Sequence, residues 1–128
     1  MDYWQDRTVF VTGGGSGIGQ ATAIKFVEAG ANVAILGRTE SKLDTTIKAV
    51  ADPSRVRKFP VDIKDEPAVL KAVHDAFQWK GRLDAAINVA GIFPSEDVFK
   101  SDREYWDNLM NTNLRGTFLV AREAADIM

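Results

Sequence analysis

The sequence predicts an α/β fold, a doubly wound parallel sheet with helices on both faces, and three observations predict it. Strand-like apolar runs alternate with helix-like segments along the whole chain, the links between them are short, and a glycine cluster stands directly between the first strand and the first helix. A chain of 128 residues has room for one compact domain, so a single unit spanning 1–128 is expected.

The elements follow in order from period and punctuation. RTVFVT (7–12) is a β-branched run that stops at the glycines, and 17–30 is rich in helix formers until Gly30 ends it. ANVAILG (31–37) is a second apolar strand. The segment 39–52 reads as a helix capped by Thr39 or Ser41 and ended before Pro53, because the residue before proline is pushed out of the helical region. A third, weaker strand covers 55–62. The helix over 65–81 has Asp65 as cap, Pro67 in its first turn, a Val69, Val73, Phe77 stripe and Gly81 as stop. LDAAINVAG (83–91) is continuously apolar, as a strand covered on both faces should be. After a loop, 102–128 reads as one long helix weakened at Gly116.

Composition narrows the function. With 45% apolar and 27% charged residues the chain has the balance of an ordinary globular domain, and a net charge of -2 with scattered basic groups offers no face for nucleic acid. The absence of cysteine removes disulfides, thiolate catalysis and cysteine-held metals. The acidic start MDYWQDRTVF is too short in apolar residues for a signal peptide, and the longest apolar stretch is interrupted by Asn88 and Gly91. No membrane association, no metal and a cytoplasmic location are the resulting expectations. His74, flanked on its helix by Lys71 and Asp75, reads as a solvated surface residue. The mixed-charge segment 95–104 reads as a loop.

FVTGGGSGIGQ (10–20) is the most informative stretch. Its spacing, Gly13-x-x-x-Gly17-x-Gly19 between a strand and a helix, permits a tight turn and brings main-chain N–H groups and a helix N-terminus to an anionic phosphate. No Lys-Ser/Thr follows the last glycine, so it is not a P-loop. A turn that serves only strand-to-helix packing is the competing reading. In a Rossmann-like dinucleotide fold an acid at the end of the second strand accepts from the ribose 2′-OH. Here Gly37 and Arg38 stand in that region, and a guanidinium pairs with a 2′-phosphate that a carboxylate would repel. Arg38, helped by Thr39 or Ser41, therefore points to NADP(H) ahead of NAD(H); a solvated loop arginine is the alternative.

TGGGSGIG (12–19), NVAG (88–91) and NTNLRGTF (111–118), in that order, resemble the motifs of the short-chain dehydrogenase/reductase family. The resemblance covers essentially the whole chain, as the N-terminal half of a longer protein. It implies a strand order of 3-2-1-4, leaving the apolar fourth strand as an edge prone to association, and a cofactor site at Gly13, Ser16, Gly17, Ile18 and Gly19. It further implies an adenine contact for Asp62 beside Ile63, and a lining role for Asn88, Ala90 and Gly91, with Asn88 also tying strands together. Two departures stand out: Val89 replaces the family's second asparagine, and Ser16 stands where some NADP-preferring members carry a basic residue.

The family's chemistry is a carbonyl–alcohol interconversion with a serine, a Tyr-x-x-x-Lys pair and a relay asparagine. By resemblance Asn113, three residues before Gly116, is that asparagine; helix capping or kinking is its other reading. Neither tyrosine supplies the pair, since Tyr3 is followed four later by Arg7 and Tyr105 by Leu109. The resemblance therefore implies a cofactor-binding part that is inactive alone, with a small carbonyl or alcohol substrate and homo-oligomeric assembly for the complete protein. Two other readings stay open: a non-catalytic dinucleotide-binding module, and a domain for another adenosine ligand such as S-adenosylmethionine, which Arg38 disfavours.

Overall fold

A computed structural model describes residues 2–128. Its strands are β1 (Thr8–Thr12), β2 (Asn32–Gly37), β3 (Val56–Pro60) and β4 (Ala85–Asn88). They form one parallel sheet in the order β3-β2-β1-β4. The helices are α1 (Gly17–Glu28), α2 (Glu40–Ala49), α3 (Glu66–Lys80), α4 (Arg103–Met110) and α5 (Gly116–Ile127).

The alternation of side chains along a strand sorts the core into two layers. Val9, Val11, Val33 and Ile35 point to one face and are covered by Ala23 and Val27 of α1 and Leu43 of α2. Phe10, Ala34 and Leu36 point to the other and meet Val69 and Val73 of α3 and Leu119 and Val120 of α5. Burying both faces is what requires unbroken apolar runs in β1 and β2.

Local chemistry sets the helix ends. The Asp65 carboxylate accepts from the Ala68 N–H at 3.3 Å to open α3, and Gly81, at φ 72°, closes it by donating its N–H to the Phe77 carbonyl at 2.8 Å. Asp102 opens α4 by accepting from the Tyr105 N–H at 2.8 Å. Thr39 holds the N-cap position of α2, although its side chain makes no capping bond.

Three expectations need correction. α2 ends at Ala49, and Pro53–Arg55 form a 3₁₀ turn, with the Asp52 side chain accepting from the Ser54 N–H at 3.1 Å. β4 ends at Asn88, and all four of its residues are only half-buried, because it is the sheet's edge and pairs with β1 alone. The long C-terminal helix is broken: Asn111–Arg115 form a π-helical turn between α4 and α5. There Gly116 lies against Ile63, where a Cβ would come 2.5 Å from Ile63 Cγ1. His74 is exposed, as expected of a surface residue, and its Nε2 lies 2.6 Å from Glu123 Oε1 of α5. Among the described residues, no helix is long and apolar enough to cross a membrane.

Candidate functional site

The carboxyl ends of all four strands open into one cleft, at the point where strand order reverses between β1 and β4. Gly13 enters it after β1, Gly37 and Arg38 after β2, Val61 after β3, and Ala90 and Gly91 after β4.

The glycines are there for closeness. Gly13 takes φ 69°, and a Cβ on it would lie 2.9 Å from the Ala90 amide nitrogen. A Cβ on Gly19 would fall on the Gly13 carbonyl oxygen, so α1 can start this near β1 only without a side chain there. Gly17, at φ 53°, turns the chain into the helix. Ser16 holds the N-cap position of α1, yet its side chain makes no capping bond and no acid occupies the first turn. The first N–H groups of α1 and its partial positive charge are thus left for an external anion.

Two basic side chains line the other end of the cleft. Arg38 is legible in the sequence; Lys42, in the first turn of α2, carries no motif that marks it. Neither has a carboxylate within salt-bridge distance among the described residues, whereas the nearby acids Glu40 and Asp44 are drawn onto Lys58 at 2.9 and 2.6 Å. Those hydrogen bonds, Asp44's first, hold the Lys58 ammonium above its ordinary pKa. The result is a cleft edge whose positive charge is unpaired. Thr39 lines the same edge; Ser41 does not.

On the far side, Thr12 does work that the motif alone does not reveal. It is 1% exposed, and its Oγ1 accepts from the N–H groups of Val89 and Ala90 at 3.1 and 3.0 Å. That pair of bonds holds the segment after β4 against β1. Asn88 stands opposite Thr12 in the sheet register, and its Oδ1 is buried without a partner among the described residues. Orphaned buried acceptors are uncommon, and Thr8 Oγ1 at the opposite end of β1 is another; Asn88 itself is not among the residues lining the cleft.

The remaining expected residues divide. Ile63 lines the cleft and is 4% exposed. Asp62 is engaged in a turn, its Oδ1 accepting from the Lys64 N–H at 2.9 Å. The Ile18 side chain is 75% exposed and sits outside the cleft, on a shallow apolar groove with Trp4 and Phe26. Asn113 lies in the π turn, with both ends of its amide bonded to the main chain of Ile92. The tyrosines are structural: the Tyr105 hydroxyl donates to the Pro94 carbonyl at 3.1 Å, and the Arg7 guanidinium stacks 4.3 Å above the Tyr3 ring.

Comparison with known proteins agrees with this architecture. The family model described as short chain dehydrogenase matches residues 7–128. An uncharacterized oxidoreductase of Staphylococcus aureus strain MRSA252 is 35% identical over 128 residues, which are all of this chain and 55% of that protein. One from Thermotoga maritima is 35% identical over 127 residues, 98% of this chain and 49% of its own length. Among solved structures, a short-chain type dehydrogenase/reductase from Mycobacterium ulcerans superposes with a TM-score of 0.87 at 39% identity, covering 98% of this chain and 47% of that one. A short chain dehydrogenase from Mycobacterium smegmatis gives 0.89 at 29% identity, covering 99% and 53%. The chain spans about half the length of the relatives it matches. With the motifs, the 3-2-1-4 sheet and these matches in agreement, the chain belongs to the short-chain dehydrogenase family.

Proposed function

We propose that residues 1–128 form the dinucleotide-binding Rossmann domain of an oxidoreductase that interconverts a carbonyl and an alcohol, with NADP(H) preferred over NAD(H). The observation that carries the preference is the unpaired positive edge made by Arg38 and Lys42 beside the glycine loop. The loop also fits a pyrophosphate: Gly13, Gly17 and Gly19 leave its backbone bare, and Ser16 leaves the α1 N-terminus uncapped. The main chain of Ile18 belongs to that first turn, whereas its exposed side chain lies outside the cleft.

Ile63, through its apolar surface, and Asp62, through its Oδ2, are assigned to the adenine. Asn88, Ala90 and Gly91 are assigned to the nicotinamide side, where Thr12 positions their backbone. When bound, the nicotinamide supplies the hydride. Asn113 is the relay residue in this reading; its amide is committed to Ile92, and its main-chain carbonyl accepts from the Thr117 hydroxyl at 3.0 Å. The serine and the Tyr-x-x-x-Lys pair are expected from the part that the longer relatives carry. This chain by itself is therefore expected to bind cofactor without turning substrate over. Homo-oligomeric assembly of the complete protein is assigned to the α4–α5 face, supported by the exposed Trp106, Leu114 and Phe118.

Separate titrations with NADPH and NADH test the reading. Tighter binding of NADPH is expected, and equal or absent affinity would remove the role given to Arg38.

A further inference from the structure

The first half of the glycine loop is pinned to the second βα unit on both sides of one residue. The Gly14 N–H donates to the Leu36 carbonyl at 3.2 Å, at the end of β2. The Gly14 carbonyl accepts from the hydroxyl of Thr46, on α2, at 2.7 Å. Thr46 is fully buried, and its Oγ1 also accepts from Gln20 Nε2 of α1 at 3.1 Å. With that lone pair used, the single hydroxyl proton has two carbonyls in reach, Gly14 at 2.7 Å and Lys42 at 3.4 Å, and the shorter contact takes it.

A trans peptide places its C=O and the next N–H on opposite sides, and no peptide bond among the described residues is cis. Fixing the Gly14 carbonyl on Thr46 therefore also fixes the Gly15 N–H, turned away from Thr46. Gly15 lines the cleft, and its N–H has no acceptor among the described residues. The Gly14–Gly15 peptide lies in a run of three glycines, Gly13 to Gly15, where no side chain restricts rotation, so the buried hydroxyl is what selects one orientation.

We infer that Thr46 is a positioning residue for the phosphate end of the cleft: its buried hydroxyl locks the Gly14–Gly15 peptide and sets the loop's distance from the Arg38–Lys42 edge. This rests on the dinucleotide reading above. Nothing in the glycine motif indicates it, because Thr46 lies 32 residues from Gly14.

The test compares two probes in the full chain: NADPH, which has a pyrophosphate, and adenosine 2′-monophosphate, which lacks one. Thr46→Val keeps the shape and deletes the hydroxyl, and it is expected to weaken NADPH about five- to tenfold, the worth of one hydrogen bond. It should leave adenosine 2′-monophosphate near the parent value. Thr46→Ser should restore NADPH binding. Gln20→Ala, which frees the hydroxyl to rotate, should weaken NADPH by a smaller factor and keeps the idea testable if the valine variant does not fold. Unchanged NADPH binding in Thr46→Val, or equal loss of both probes, would overturn the positioning role. A parent chain that binds neither probe would overturn the dinucleotide reading itself.

Discussion

Asn113 and Ile92 are joined by a reciprocal pair of hydrogen bonds: Asn113 Nδ2 donates to the Ile92 carbonyl at 2.7 Å, and Asn113 Oδ1 accepts from the Ile92 N–H at 2.8 Å. The side chain thus behaves like a neighbouring strand, continuing main-chain pairing beyond the end of β4. Asn113→Asp keeps the acceptor and loses the donor, setting a carboxylate oxygen against a carbonyl. A loss of about 1–3 kcal/mol is expected from that mismatch, read as a lowered melting temperature. Asn113→Ala should add faster amide exchange of the segment after β4, which hydrogen-exchange mass spectrometry would detect.

Charge at the cleft edge should decide the cofactor. Arg38→Asp is expected to weaken NADPH at least tenfold, about 1.4 kcal/mol, while NADH binding stays level or improves. Lys42→Ala should produce a smaller change in the same direction. Fluorescence titration of the two cofactors measures both, and a parallel loss of NADPH and NADH would show that the residues serve the fold instead.

Thr12 should matter more than its size suggests. Thr12→Val removes the acceptor of two N–H groups at a site that is 1% exposed, at a cost of about 2–4 kcal/mol. Thr12→Ser should retain most of the stability. Thermal unfolding of the three proteins checks the order parent, serine, valine.

Acid should loosen the base of the central strand. The Asp84 carboxylate is held below its usual range, first by the Arg82 guanidinium at 2.6 and 2.7 Å, against the cost of its burial, and further by the Thr8 N–H at 2.8 Å. A depressed folded-state pKa means that its contribution is complete above the unfolded value, about 3.9, and is lost as pH falls through the folded value. Unfolding measured between neutral pH and pH 3 should therefore show a decline on acidification that is shallower in Asp84→Asn.

The sheet was legible because its information is local and periodic. Apolar runs announced β1 and β2 as strands, whereas the run over 83–91, read as covered on both faces, became the half-buried edge strand β4; Asp65, Pro67 and Gly81 marked the ends of α3 through backbone chemistry that needs no distant partner. The same holds for the glycine loop and for Arg38, whose meaning lies in spacing.

What escaped the sequence depends on groups that meet only after folding. The helical pattern over 102–128 hid the π turn, since the pull of Asn113 toward Ile92 and the seat of Gly116 on Ile63 involve residues 21 and 53 positions away. Thr12 reaches Val89 across 77 positions, and Lys58 withdraws Glu40 and Asp44 from the cleft edge only because β3 lies beside α2. Sequence alone determined that a bare backbone turn would stand at a helix N-terminus beside a basic residue. Tertiary structure decided which hydroxyls and amides hold that turn in shape, because a hydrogen bond between residues dozens of positions apart leaves no period to read.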